Sequence, residues 1–286
     1  MTGTRTADLA SWRAQARWHV KKAARRMVAA TAVVRPARRH GPRVRALTYH
    51  RFGEPGRDPF CVRPDRFESQ MAWLADTGRA VSLPQVEAFV AGRAPLPDGA
   101  VLVTIDDGDE SLARVALPIL VRHAIPAAAF VPAGEIGVPA SQTGTPEPRL
   151  GWDALARVAD AGVAVGSHSW THRSLAQLDV EERLDALVRS RAHLACRLGR
   201  AVTAFAYPFG TVADCGADVV ACVRAAGYTC AFTACHGALE PQADPFALPR
   251  VKVEGGDDDR LFRALVTGAL DAWRLVDATL WWAQAR

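Results

Sequence analysis

The chain has 286 residues, of which 49% are hydrophobic and 23% charged, and its formal net charge is +5. This balance excludes a disordered chain, a collagen-like repeat and a small disulfide scaffold. No stretch approaches the ~18 uninterrupted apolar residues that cross a bilayer, and the length suits one large or two small domains.

The charge is unevenly placed. Residues 1–45 hold twelve Lys/Arg against one acid, Asp8, so this leader carries +11, while the remainder has 23 bases against 29 acids, or −6. Such an arm can touch anionic lipid or nucleic acid, although a solvated, partly helical extension is the plainer expectation. The apolar run 27–34 lies between Arg25-Arg26 and Arg35 and has no clear cleavage site, so it does not read as a signal peptide.

After the leader, short apolar runs alternate with helical stretches. Strands are expected at 44–49, 101–105, 127–131, 163–166, 203–206, 229–233 and 248–253, with an apolar step at 80–83. Helices are expected at 64–78, 84–92, 111–123 (kinked at Pro118), 152–161, 178–198 and 218–226, and from 257 to the end. Asp179 with Glu182 three residues on marks a helix start. The alternation argues for a parallel sheet with helices outside, as a barrel or an open doubly wound sheet. No G-x-G-x-x-G or phosphate loop follows the first strand, which leaves nucleotide binding without support. The six cysteines (Cys61, Cys196, Cys215, Cys222, Cys230, Cys235) form no C-x-x-C pair. Cys230, Cys235 and His236 read as core thiols and a loop histidine rather than a metal site.

Chemistry-bearing residues sit where the apolar runs end, which in a parallel α/β barrel is the active-site face. Thr104-Ile105-Asp106-Asp107-Gly108 brings two carboxylates to the end of a buried strand, costly unless a cation or proton lies between them. Gly108 permits a sharp turn there, so that both side chains can face the mouth. His168-Ser169-Trp170-Thr171-His172 places two imidazoles four residues apart, able to reach one metal ion. Tyr207-Pro208-Phe209-Gly210 follows another strand as a rigid loop. Singly, these have plainer readings as a helix cap, a surface histidine pair and a β-turn. Together, in this order and each at a strand end, they are hard to obtain by chance.

On these residues the chain resembles the polysaccharide deacetylases of carbohydrate esterase family 4. The three segments match T-F-D-D-G, H-S/T-x-x-H and R-x-P-x-G. Leu47-Thr48-Tyr49-His50-Arg51, Phe67 with Gln70, Ile125-Pro126-Ala127 and Leu248-Pro249-Arg250-Val251 are similar to the subgroup acting on poly-N-acetylglucosamine. The resemblance spans roughly residues 44–255, giving a basic extension (1–43), a catalytic domain (44–256) and a C-terminal helical segment (257–286).

The resemblance implies a distorted (β/α) barrel and hydrolysis of an N-acetyl amide on a glycan. It implies a divalent metal ion, zinc before nickel, cobalt or iron. Asp107, His168 and His172 would be ligands, Asp106 the general base, and the Tyr207 N–H an oxyanion donor. One carboxylate and two neutral imidazoles leave positions open for water and the acetyl carbonyl. Pro208, Gly210 and Arg250 are expected to line the substrate site.

Two departures stand out. The third motif has Ala206 where the family has an Arg that orients the base, and a late L-x-H becomes Leu248-Pro249-Arg250. His50, at a strand end, ranks above His236 as substitute proton donor, and Arg250 could instead hold Asp106. These departures leave a non-catalytic carbohydrate-binding module as the alternative. No nucleic-acid partner is expected. The leader and the terminal segment with Trp273, Trp281 and Trp282 offer peripheral membrane contact. Location is left open: the absent signal peptide points to the cytoplasm, the resemblance to the cell envelope.

Overall fold

The computed structural model describes residues 23, 25, 27, 43–54, 56 and 58–274. Strands and α-helices are numbered in chain order. β1 (Arg45–Tyr49), β4 (Val101–Ile105), β5 (Ala127–Val131), β6 (Ala164–Ser167), β7 (Ala204–Ala206), β8 (Cys230–Phe232) and β9 (Val251–Lys252) form one sheet in the order β8-β7-β6-β5-β4-β1-β9. Every pairing in it is parallel. A short parallel pair, β2 (Arg51–Phe52) and β3 (Cys61–Val62), lies beside it. Residues 248–252 touch both edges of the sheet. Leu248 bridges Phe232 of β8, and Val251 and Lys252 pair with Leu47 and Thr48 of β1. One short segment therefore closes the curled sheet into the expected barrel.

Helices α1 (Pro64–Asp76), α2 (Leu83–Val90), α3 (Leu117–Arg122), α4 (Ala140–Thr143), α5 (Trp152–Asp160), α6 (Val180–Leu198), α7 (Ala217–Ala225) and α8 (Asp259–Thr267) connect or follow the strands. Strand alternation sorts the core into two sets. Val101, Val103, Ile105, Ala127, Ala129 and Val131 pack outward with α1, α3 and α5 to α8. Leu102, Ala128, Phe130, Ala204, Ala206 and Phe232 fill the interior with α2, which plugs the end where the strands begin. The alanines keep this interior narrow. Gly166 serves the same purpose, because a Cβ there would lie 2.5 Å from the Phe130 ring.

Several expectations are revised. The stretch 111–123 is a π-helical turn, Leu112–Ala116, running into α3. Pro118 has no N–H for the carbonyl four residues back, and the wider turn absorbs that loss. The apolar step at 80–83 contributes only the bridge from Ala80 to Val101. The run 248–253 is mostly irregular because it divides its bonds between two sheet edges. The terminal segment is not one continuous helix: α8 stops at Gly268 (φ 85°), and a short turn buries Trp273. Trp281 and Trp282 lie outside the described residues, as does most of the basic leader. Within the leader, Arg25 is buried. It contacts Asp257 and Glu254 at 3.1 Å and donates to the Lys252 carbonyl. Among the described residues, no helix is long and apolar enough to cross a membrane.

Candidate active site

Thr104 and Asp106 continue the inward-facing alternation of Leu102, so Asp106 points into the barrel by strand geometry alone. Asp107 would face the opposite side in an extended strand. Its φ of 72° places it in the left-handed region, and Gly108 follows at 63°. A Cβ on Gly108 would meet Val131 at 2.7 Å, so the turn is both bent and tightly packed. The other two loops each have a non-glycine residue in the same region, Ser169 at 70° and Phe209 at 62°. Strain of this kind persists only where the surroundings hold it.

The expected ligands converge. Asp107 Oδ1 lies 3.5 Å from His168 Nε2 and 3.3 Å from His172 Nε2, and the three ligand atoms lie within 4.8 Å of one another. Two donors about 2.0–2.1 Å from one tetrahedral ion stand roughly 3.3 Å apart, so this spacing fits a common cation. Asp107 Oδ1 is also buried with no hydrogen-bond partner among the described residues, a costly arrangement for an anion without a metal. His168 is fixed through its ring, with Nδ1 2.7 Å from the Ala206 carbonyl, which leaves Nε2 for an ion. The His172 ring leans on Phe209, centroids 4.8 Å apart. Burial opposes the charge of Asp107, yet His168, His172 and His50 hold its pKa well below the carboxylate range. Burial lowers His172 to about 4, against the pull of Asp107, and so favours the neutral imidazole a metal requires.

Asp106 takes two bonds from Arg250, Nη1 to Oδ1 and Nη2 to Oδ2, both 2.7 Å. Arg250 also donates to Thr104 Oγ1 at 3.1 Å and to the Thr233 carbonyl at 2.8 Å, and its guanidinium lies over the Phe130 ring. Burial alone would raise Asp106, but Arg250, His168 and His50 win and its pKa is lowered. Arg250 thus arrives from the closing segment where the third motif has Ala206. Its buried guanidinium is committed to Asp106, Thr104 and the Thr233 carbonyl, which corrects its assignment as a substrate contact.

Tyr207 also requires correction. Its N–H donates to the Phe232 carbonyl at 3.1 Å as part of the β7–β8 ladder, and its hydroxyl donates to Phe246 O. It is a core residue, with no amide to offer an oxyanion. Pro208 is buried, and Gly210 packs where a Cβ would lie 2.6 Å from Ala234 N, so both shape the loop rather than present a surface. Phe209 is the exposed residue of that loop.

His50 sits just past β1, half-buried, with its ring 4.8 Å from Phe60. Burial lowers its pKa; Asp107 and Asp106 act to raise it, and Arg250 and Lys252 oppose them. Its Nδ1 is buried without a hydrogen-bond partner among the described residues. His236 lies elsewhere, 3.9 Å from Asp271. Asp271 also pairs with Arg45, the first residue of β1, whereas the site lies beyond the last.

Sequence reasoning missed the supports behind the ligands. Glu135 accepts the His172 N–H, and Arg149 joins Glu135 to Asp109. Buried Asp214 accepts from Ser174 and Thr211, tying the second loop to the third. Asp109 and Arg149 adjoin visible signals, the Asp-Asp pair and Pro148, but their spacing carries no pattern of its own.

The family profile described as polysaccharide deacetylase matches residues 93–231. The chain is similar to members of the polysaccharide deacetylase family. Among curated members, the protein YxkH of Bacillus subtilis (strain 168) is 24% identical over 206 residues, 72% of this chain and 70% of that one. The poly-beta-1,6-N-acetyl-D-glucosamine N-deacetylase of Staphylococcus aureus (strain MRSA252) is 21% identical over 213 residues, 71% of each chain. Among solved structures, IcaB from Ammonifex degensii is 26% identical with a TM-score of 0.67, covering 81% of this chain and 98% of that one. The barrel is therefore the fold of these deacetylases, with Asp106 held by Arg250 from the closing segment.

Proposed function

We propose that the protein is a metal-dependent hydrolase that removes N-acetyl groups from amino sugars of a glycan, with poly-N-acetylglucosamine as the substrate class. The observation that carries the reading is the meeting of Asp107, His168 and His172 beside an ionised, arginine-held Asp106. The Staphylococcus aureus relative supports the substrate class through the activity in its name.

A divalent ion held by Asp107, His168 and His172, with zinc the best match to one carboxylate and two imidazoles, would polarise the acetyl carbonyl and acidify water. Asp106 acts as the base. Its depressed pKa keeps it ionised at neutral pH, and the bidentate Arg250 contact keeps its carboxylate from rotating away from the water. His50 faces the same carboxylates and is the candidate to protonate the leaving amine. Its depressed pKa leaves the imidazole neutral at neutral pH, so the proton it passes to the amine is one it takes up during the reaction. The products are acetate and the free amino sugar.

Acetate release from N-acetylglucosamine oligomers by zinc-loaded protein is the test. Asp106→Asn is expected to retain metal and to lower turnover by about 10²–10⁴-fold. Zinc-loaded wild type that releases no acetate from any N-acetylated glycan would refute the reading. Glycan retention without turnover, unchanged in Asp106→Asn, would instead favour a binding module.

A further inference from the structure

Buried and half-buried charged groups behind the site form a line that ends on a candidate metal ligand. Asp58 Oδ2 accepts from Arg51 Nε at 2.9 Å, and Arg51 Nη1 donates to Asp109 Oδ2 at 3.1 Å. The other oxygen of Asp109 accepts from Arg149 Nη1. Arg149 Nε donates to Glu135 Oε2 at 3.0 Å, and Glu135 Oε1 accepts the main-chain N–H of His172 at 2.8 Å. Asp109 is fully buried and Arg149 nearly so. Acid and base alternate from the β2–β3 connection to the second motif, and Asp109 is two residues from Asp107. The line therefore links two ligands that lie 65 positions apart in sequence.

Burying the Asp109–Arg149 pair yields little net stability, because the desolvation cost offsets most of the mutual attraction. What such a line does supply is fixed geometry. His168 is oriented through its own ring by the Ala206 carbonyl, whereas His172 is the more exposed ligand, a quarter exposed against 2% for His168. The loop between them contains left-handed Ser169 and needs external restraint. Main-chain N–H groups of Ala133 and Gly134 donate to the carbonyls of Ser169 and Trp170, so the turn that carries Glu135 is already stitched to this loop. We infer that Glu135, backed by Arg149 and Asp109, is a positioning residue that sets the His172 imidazole for metal binding. The inference rests on the metal-dependent reading above.

Full-length wild type, Glu135→Ala and Glu135→Asp would be compared by zinc Kd from competition with a chromophoric chelator. The visible bands of the Co²⁺-loaded forms, kcat and KM on N-acetylglucosamine oligomers, and the thermal midpoint of the metal-free forms complete the set. Glu135→Ala is expected to weaken zinc binding about 10–100-fold and to shift the Co²⁺ bands. It should lower kcat while KM moves little. Glu135→Asp keeps the charge but shortens the arm, and is expected to lose several-fold in affinity. Should Glu135→Ala not fold, Glu135→Asp decides. A folded variant with wild-type zinc Kd and Co²⁺ bands overturns the inference. Wild type that binds zinc yet releases no acetate refutes the deacetylase reading instead, and the metal-binding comparison still decides the role of Glu135.

Discussion

The two sides of the site are built differently. On one side, Asp107, His168 and His172 leave β4 and β6, which flank β5, through turns of a few residues whose left-handed backbone turns them toward one another. On the other side, Asp106 is held by a residue 144 positions away, delivered by the short segment that closes the barrel between β8 and β1. The meeting of Asp107, His168 and His172 is a product of motif and turn; the pairing of Asp106 is a product of closure. That division explains how the third motif can carry Ala206 without leaving Asp106 unpaired. The guanidinium enters from the closing segment, just ahead of β9, and reaches that carboxylate.

Substitutions can separate the two sides. Asp107→Ala removes the only carboxylate of the ligand set, so the protein should no longer retain zinc in dialysis and turnover should fall about a thousandfold or more, several kcal/mol of lost stabilisation. Retained stoichiometric zinc would show that the grip is not built as described. Arg250→Met should leave zinc bound but lower kcat by about a hundredfold, because a buried Asp106 would lose its cation. Removing that charge lets burial raise the Asp106 pKa, so the acidic limb of the kcat/KM profile should move to higher pH. An unmoved limb would mean that Arg250 does not set the ionisation of the base. Arg25→Met tests a buried ion pair that braces the end of the closing segment. Breaking it should lower the thermal midpoint on the order of 10 °C and leave kcat/KM unchanged, as read by calorimetry beside acetate release.

Much of the ligand side was legible in the sequence. Asp106-Asp107-Gly108 declares a turn and a cation site at once, and His168 with His172 has a spacing few plain loops share. The closing side was not. Arg250 could be read as a substrate contact or as a holder of the base, and only its place inside the barrel decides between them. Tyr207 was misread because nothing in the sequence reveals how far the β7–β8 ladder runs, and that ladder takes its N–H. Glu135 lies in a short turn with no periodicity, so its tie to His172 had no signal.

By itself the sequence determined the alternation of strands and helices, the strand ends at which charge accumulates, and the residue types able to hold an ion, because these follow from local periodicity and side-chain chemistry. The tertiary structure decided which carboxylate meets which cation, which main-chain N–H groups the sheet consumes, and where residues 248–252 dock. Those outcomes depend on distances between segments remote in the chain, which barrel closure and interior packing fix and no local pattern encodes.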